Sequence, residues 1–321
     1  MSTVLAKRLR SSLTADLKDV CRSAGLNASG ARLVRYTMNA VWALDRYGLI
    51  VRMTADDRRG GNSPQDLVRV ARLLQRAEAP IAWLADEIPQ PVRTNGWSTT
   101  FWRMMLPFPT EQSGNAAAIV EPLRALHEVT LDPDQLPAWD MPSKIEGRLA
   151  AVVAAQGAQR RMLEDWAVRS VQTSLRALIH ELRGRLDTVR SQLATAEWHL
   201  PQGVIHGDAH TGNLVLANDG TALWCDLDSV AFGPREWDLA PAAFGLLRFG
   251  RDPGGYRQLV SALGFDVMRD ERWPLLRDLR DLQAVTSVLA DLPGRPQLAD
   301  EVARRLRGLL TGAAVVWRRY T

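Results

Sequence analysis

The stretch VIHGDAHTGNLVLANDGTALWCDLDSVAFGPREWDLA, residues 204–240, contains most of the polar residues that could carry out chemistry. It begins with a short apolar run that leads into Asp208 and, five residues later, Asn213. A second apolar run, ALWC, leads into Asp226 and Asp228. Because both runs have the composition of short strands, we predict that two strand ends bring these acidic and amide side chains together.

Such a grouping fits phosphoryl transfer. That reaction needs a carboxylate to accept the proton of the attacking hydroxyl, and oxygen ligands for the Mg²⁺ that binds the phosphates. Asp208 is the candidate for the first role, and Asn213 and Asp226 for the second, since Mg²⁺ prefers carboxylate and carbonyl oxygens. Asp228 is either a third metal ligand or the cap of the next turn.

The run HGDAHTGN resembles the H-G-D-x-x-x-x-N catalytic loop of the aminoglycoside phosphotransferase family, which is similar to choline kinases. Asp226-Leu227-Asp228 resembles that family's metal-binding D-x-D, and Trp237-Asp238-Leu239-Ala240 resembles its D-L-A, whose Asp braces the catalytic loop. LRALHEV, residues 123–129, resembles the start of the helical lobe in bacterial members. The resemblance implies an α+β, protein-kinase-like fold with a small antiparallel-sheet N-lobe and a large helical C-lobe. It also implies transfer of the γ-phosphoryl group of ATP, with Mg²⁺, to a hydroxyl of a small molecule.

The resemblance further implies a nucleotide site in the N-lobe. The family places a phosphate-binding lysine on the third strand, but residues 19–143 contain no lysine, and Arg52 stands at the expected place. Asp66 would be its acidic partner on the following helix. The loop at residues 35–39 contains no glycine, so backbone N–H groups alone would have to reach a phosphate there. The adenine edge would be read by hinge backbone groups of Arg103, Met104 and Met105.

The period of the apolar residues predicts two lobes, an N-lobe at residues 1–106 and a C-lobe at residues 107–321. The resemblance implies that the N-lobe binds the nucleotide and that the C-lobe is catalytic and binds the acceptor. The N-lobe runs that are typical of strands are 31–36, 39–45, 48–55, 81–86 and 97–106, and the helical runs are 12–25 and 66–79, the latter opened by Ser63 and Pro64. The C-lobe is predicted to have helices at 115–128, at 144–197 and from 235 onward, a loop at 129–143, and a solvated helix end at WRRYT, 317–321.

Composition excludes several classes of protein. With 46% hydrophobic and 24% charged residues, the 321-residue chain can build a core and is neither disordered nor collagen-like. Two cysteines exclude a Cys-rich metal cluster and indicate a reducing compartment. Walker A, GxGxxG, HExxH and GxSxG motifs are absent. Without an 18-residue apolar run or a secretory signal, the sequence predicts a cytoplasmic protein with no membrane partner.

The charge balance bears on possible partners. A net charge of +4 allows a nucleic-acid partner, but 37 of the 40 basic residues are arginines and no binding motif accompanies them, so none is predicted. The region 229–321 has eleven acidic residues and fourteen arginines, and 144–200 has six acidic and nine basic residues. Because a polycationic acceptor favours a cleft rich in carboxylates, we predict a neutral or anionic acceptor.

Two other hypotheses fit parts of the sequence. The chain could be a catalytically weak, kinase-like module that only binds nucleotide, although Asp208, Asn213 and Asp226 are all present. The alternation of His206, Asp208 and His210 could hold a transition metal in a hydrolase. The acceptor, a role in antibiotic resistance or in biosynthesis or salvage, the choice between ATP and GTP, and the oligomeric state stay open at this point.

Overall fold

The computed structural model describes residues 3–36, 39–56 and 62–320. Its N-lobe contains a five-stranded antiparallel sheet in the order β1-β2-β3-β5-β4. The strands are β1 (Arg32–Tyr36), β2 (Ala40–Leu44), β3 (Leu49–Ala55), β4 (Val92–Thr94) and β5 (Trp97–Arg103). Asn95 and Gly96, which join β4 to β5, both have positive φ, 47° and 82°, as a two-residue hairpin turn requires.

Two helices pack on this sheet, α1 (Thr3–Ser23) and α2 (Pro64–Arg76). Leu17 of α1 is fully buried against Met53 and Phe101 of the strands, and these residues form a core separate from that of the C-lobe. Ser63 caps α2, since its hydroxyl accepts the N–H of Asp66 at 3.1 Å. The apolar residues of α2, by contrast, belong to the large core that continues into the C-lobe.

The C-lobe is mainly helical and has two small sheets. The helices are α3 (Val120–Glu128), α4 (Met141–Ala154), α5 (Gly157–Trp166), α6 (Leu175–Leu193), α7 (Glu236–Phe249), α8 (Pro253–Leu263), α9 (Trp273–Thr286) and α10 (Ala299–Thr311). The strands are β6 (Leu106–Pro107), β7 (Gly203–Ile205), β8 (Leu214–Leu216), β9 (Ala222–Trp224) and β10 (Ala231–Gly233). Strand β6 pairs with β8 and β8 with β9, while β7 pairs with β10, all antiparallel. This architecture confirms the predicted fold class.

The predicted strand at residues 81–86 is wrong. Ile81 forms a single bridge with Trp224, and Leu84 forms one with Trp102. The N–H of Ala82 donates to the carbonyl of Trp224 at 2.7 Å, whereas the carbonyl of Trp83 accepts the N–H of Arg103. Because successive residues contact two different strands, the segment forms no continuous ladder and instead connects the two lobes. The division at residue 106 stays a prediction.

The C-terminal segment is also not the solvated helix end that was predicted. Helix α10 ends at Thr311, and residues 313–320 fold back over α7 and α10. Trp317 is buried, and its N–H donates to the carbonyl of Arg248. The guanidinium of Arg305 lies 4.7 Å from the Trp317 ring and 3.9 Å from that of Tyr320. Cation–π stacking with this buried arginine therefore attaches the segment to the core.

In the parts of the chain that are described, no helix combines the length and the apolar character needed to cross a bilayer.

Candidate active site

The catalytic-loop motif begins where β7 ends, and a buried carboxylate determines the conformation of its first residues. Asp238, on α7, accepts the backbone N–H groups of His206 and Gly207, both at 2.7 Å. It also contacts Nε2 of His127, on α3, at 3.1 Å. Gly207 has φ +81°, and a Cβ there would lie 2.2 Å from the carbonyl oxygen of Ser229. Only glycine fits this position, which explains the middle residue of the motif.

His206 connects this loop to the second acidic segment. Its side chain is fully buried, with Nε2 3.0 Å from the carbonyl of Cys225 and the ring packed at a tilt of 41° against Trp224. Nδ1 accepts the N–H of Asp208 at 3.3 Å. Since the carbonyl can only accept and the backbone N–H can only donate, the proton resides on Nε2. Both ring nitrogens are therefore in use, and His206 is a structural residue rather than a metal ligand.

Asp208 is partly exposed at the end of this loop, with 39% of its side chain accessible. Nη1 of Arg280, on α9, donates to its Oδ1 at 3.1 Å, and Nε2 of His210 lies 3.5 Å from its Oδ2. Burial raises the pKa of the Asp208 carboxyl, but His210 and Arg280 lower it further, so that this pKa lies well below its usual range. The carboxylate is thus ionised at neutral pH, as a hydrogen-bond acceptor for a hydroxyl must be.

The pairing of β8 with β9 brings together two of the three candidate metal ligands, Asn213 and Asp226. The N–H of Cys225 donates to the carbonyl of Asn213 at 2.8 Å, which places Asn213 beside Asp226. Nδ2 of Asn213 donates to the carbonyl of Asp208 at 3.0 Å, so the amide oxygen is available for another partner. Asp226, two residues after β9, has φ 59°, a left-handed conformation that is strained for a residue with a Cβ.

The donor chemistry of Asn213, Asp226 and Asp228 fits a hard divalent cation such as Mg²⁺, since all three offer oxygen atoms. A site made of histidine, cysteine and carboxylate alone is not supported. Within residues 3–36, 39–56 and 62–320, no three such side chains are grouped as a metal site. The alternation of His206, Asp208 and His210 therefore does not form the transition-metal site of a hydrolase.

Arg52 lies on β3 and extends across the cleft to these carboxylates. Its Nη2 contacts Asp228 in a close ion pair and Oδ1 of Asp226 at 3.4 Å, and only 11% of its side chain is exposed. Burial opposes the charge, yet Asp228 and Asp226 raise the pKa of Arg52 above its ordinary value. Arg35, on β1, lies 3.7 Å from the other oxygen of Asp226 and is half exposed. Two arginines of the N-lobe thus face one acidic pair of the C-lobe.

Asp66 does not form the predicted pair with Arg52 in this structure. Its carboxylate accepts the hydroxyl of Ser63 at 2.7 Å and lies 3.4 Å from Arg69, at the exposed start of α2. The aspartate side chain lacks the extra methylene of a glutamate, and Arg52 is occupied by Asp226 and Asp228. Of the glycine-free loop at residues 35–39, Thr37 and Met38 lie outside the described residues.

Two of the three predicted hinge residues use their backbone N–H groups in hydrogen bonds within the protein. The N–H of Arg103 donates to the carbonyl of Trp83 at 2.7 Å, and that of Met104 to the carbonyl of Gly48 at 2.8 Å. Both groups connect the end of β5 to neighbouring segments, so neither is available to an adenine ring in this conformation. Met105, the third predicted residue, lies between β5 and β6 without such a bond among the described residues.

Three further side chains lie near the site, and the motif did not indicate them. Arg280 contacts Asp208, and His127 contacts the bracing Asp238. Lys144, on α4, is half-buried; burial lowers the pKa of its ammonium group, and the charge of Asp228 raises it. His127 stands within the LRALHEV run, but neither Arg280 nor Lys144 has a sequence signal, since each lies on a helix far along the chain from its partner.

A protein-kinase-like fold in which Asp208 and Asn213 adjoin Asp226 defines a phosphotransferase. The chain belongs to the phosphotransferase enzyme family (APH), which matches residues 50–274. No curated protein sequence matches the chain.

Several solved structures are similar in fold. Spectinomycin phosphotransferase APH(9)-Ia, crystallised with ADP and spectinomycin, has 16% identity and a TM-score of 0.57 over 94% of this chain and 93% of that one. Choline kinase LicA from Streptococcus pneumoniae has 13% identity and a TM-score of 0.59 over 93% and 97%. Amicoumacin kinase hAmiN, crystallised with AMP-PNP, Ca²⁺ and Ami, has 12% identity and a TM-score of 0.61 over 96% and 97%.

Proposed function

We propose that the protein transfers the γ-phosphoryl group of ATP to a hydroxyl group of a small molecule. The observation that supports this most directly is the grouping of an ionised, partly exposed Asp208 with Asn213 and Asp226 at one end of the β8–β9 pair. The related structures that contain ADP or AMP-PNP support a nucleotide as the donor.

In the proposed reaction, Asp208 accepts a hydrogen bond from the acceptor hydroxyl and takes its proton. The hydroxyl oxygen forms a bond to the γ-phosphorus while the bond between that phosphorus and the β–γ bridging oxygen breaks, and ADP leaves. Asn213, Asp226 and Asp228 would hold Mg²⁺, which would neutralise charge on the phosphates. Most of the rate enhancement would come from positioning and from electrostatic stabilisation.

Arg52 and Arg35 are the candidates for phosphate binding. Both guanidinium groups lie within 4 Å of Asp226, next to the proposed metal ligands. A guanidinium remains charged and can bind two phosphate oxygens at once. In this proposal the nucleotide and its cation take over contacts that Arg52 makes to the carboxylates. Asp66 and the hinge groups of Arg103, Met104 and Met105 stay predictions for the nucleotide complex.

We propose a neutral or anionic acceptor, such as a sugar or nucleoside hydroxyl. The carboxylate of Asp208 is already next to the guanidinium of Arg280 and the ring of His210. On α4, Lys144 is close enough to Asp228 for that charge to raise the pKa of the lysine, and Arg148 donates to the carbonyl of Gln283, one turn from Arg280. An ammonium group beside the reacting hydroxyl would meet these charges, whereas a neutral or anionic group would not.

An acceptor screen tests the proposal. ADP release from Mg-ATP is measured with neutral sugars, nucleosides, sugar phosphates, choline and an aminoglycoside, at low and at high salt, with Asp208→Asn as the inactive control. We expect the neutral or anionic acceptors to stimulate ADP release most. If the aminoglycoside gives the highest turnover and its affinity for the protein falls steeply with salt, the proposed acceptor class is wrong, although phosphoryl transfer itself still stands. Nucleotide binding without ADP release for any acceptor would instead favour the binding module.

A further inference from the structure

We propose that Arg280 is a positioning residue for the proposed catalytic base. It holds one oxygen of the Asp208 carboxylate and leaves the other to the acceptor hydroxyl. The inference rests on the proposed function, in which that carboxylate accepts the hydroxyl proton.

The contacts of Arg280 connect the carboxylate to the backbone that surrounds it. The side chain lies on α9 and is only 5% exposed. Nη1 donates to Oδ1 of Asp208 at 3.1 Å. Nη2 donates to the carbonyl oxygens of Trp237 at 3.2 Å and of Gly207 at 3.5 Å. One planar guanidinium therefore contacts the carboxylate, the loop residue before it and the bracing helix α7, and only an arginine has donors with this spacing.

The guanidinium itself is held from two other directions. Its carbon lies 4.0 Å from the ring centroid of Trp237, whose Nε1 donates to the carbonyl of Gly207 at 2.8 Å. Nη1 also donates to Oε1 of Gln283, one turn further along α9, at 3.0 Å. Stacking and hydrogen bonding together restrict the side chain to one orientation. Arg280 can therefore transmit a fixed geometry to Asp208 rather than only a charge.

This geometry makes the two carboxylate oxygens unequal. Oδ1 faces the buried arginine, whereas Oδ2 faces His210, whose side chain is 46% exposed. Nδ1 of His210 accepts the N–H of Gly212 at 3.0 Å, so its proton is on Nε2, towards Oδ2. Rotation about the terminal carboxylate bond is otherwise broad. Because a displacement of about 1 Å can cost roughly 100-fold in rate, fixing Oδ1 directs Oδ2 to the acceptor.

Arg280→Gln tests the inference, with Arg280→Lys and Gln283→Leu as graded variants. Arg277→Gln is the matched control, since Arg277 lies on the same helix and forms a half-exposed ion pair with Asp278. ADP release from Mg-ATP is measured with water as the acceptor and with the best acceptor of the screen. We expect Arg280→Gln to lower kcat about 10- to 100-fold, with the KM for Mg-ATP within about twofold of wild type. Arg280→Lys should recover part of this loss, Gln283→Leu should show a smaller loss, and Arg277→Gln should show none.

A second arm asks whether Arg280 acts through the carboxylate. In an Asp208→Asn background, Arg280→Gln should cause no further loss of turnover, because the group that it positions has already been changed. An equal further loss would overturn the inference, as would a kcat of at least half the wild-type value in Arg280→Gln. The inference would also be overturned if kcat, Mg-ATP affinity and melting temperature all fell together across the variants, because that pattern indicates a role in folding alone.

The outcomes separate this inference from the proposed function. If Arg280→Gln does not fold, Gln283→Leu decides: a lower kcat at an unchanged melting temperature supports the inference, and an unchanged kcat overturns it. If wild type releases no ADP under any condition, the proposed function fails and the inference fails with it. If wild type is active and the Arg280 and Gln283 variants are as active as the Arg277→Gln control, the inference fails while the proposed function stands.

Discussion

Asp208 and Asp226 are both acidic residues of the candidate site, but their surroundings differ. Asp208 lies in a loop whose partners, Asp238, His206 and Arg280, all belong to the C-lobe. Asp226 contacts Arg52 and Arg35, which belong to the N-lobe. The proposed catalytic half of the site is therefore built within one lobe, and the proposed phosphate-binding half forms only where the two lobes meet.

This difference has a physical consequence. Around Asp208 the partners are buried and bind backbone N–H and carbonyl groups, so the loop cannot change without breaking the core of the C-lobe. Around Asp226 the partners are arginine side chains of the other lobe, and 30% of the Asp226 side chain is exposed. We expect substitutions in the first region to lower turnover or stability, and substitutions in the second to change ligand affinity.

The largest effect is expected for Asp208→Asn. The variant keeps the side-chain shape but cannot accept the hydroxyl proton, so turnover should fall by about 10²- to 10⁴-fold with little change in Mg-ATP affinity. Steady-state ADP release and calorimetry measure the two quantities. Asp219→Asn, in an exposed turn between β8 and β9, is the control. Near-normal turnover would remove Asp208 from the role of base.

Asp238→Asn should lower stability most. Both oxygens of Asp238 accept backbone N–H groups, and an amide has only one oxygen, so its NH₂ group would face a donor. We expect a loss of about 2–5 kcal/mol in the free energy of unfolding, together with a loss of turnover. Urea unfolding of this variant is compared with that of Asp278→Asn, an exposed aspartate of α9. A change below about 0.5 kcal/mol, the range of ordinary surface substitutions, would show that the loop does not depend on this carboxylate.

Asp226→Ala should affect ligand binding more than stability. The loss of a charged oxygen ligand is expected to weaken Mg-ATP binding about tenfold or more, while the C-lobe core is unchanged. Calorimetry with and without Mg²⁺ tests this, with Asp219→Ala as the exposed control. Equal binding by the variant and wild type would make Asp226 a structural residue that serves only as a partner of Arg52.

Asp66→Ala should have the smallest effect. In this structure Asp66 contacts Ser63 and Arg69 at the start of α2, so its loss is expected to cost about 1 kcal/mol of stability or less. The affinity for Mg-ATP should stay within about twofold of wild type. Ser63→Ala, which removes the cap itself, is the comparison in the same thermal melts. A loss of Mg-ATP affinity as large as that of Asp226→Ala would restore Asp66 as the partner of Arg52 in the nucleotide complex.

The sequence alone determined the fold class and the residues of the proposed catalytic half of the site. Asp208, Asn213 and Asp226 lie within nineteen residues of one another, in a motif whose glycine is required by local backbone geometry. Residues that interact with near neighbours in the chain recur at a fixed spacing in the sequence, and such a motif can therefore be recognised from the sequence alone.

Only the tertiary structure decided which side chains surround this motif. Arg280 lies 72 residues from Asp208, and Arg52 lies 174 residues from Asp226, so no spacing relates them. The choice of Asp226 and Asp228 over Asp66 as partners of Arg52 depends on how the lobes are arranged and on the reach of each side chain. The same holds for the C-terminal segment, which packs through Trp317 on a surface formed by the preceding helix α10 and by α7, about 70 residues earlier in the chain.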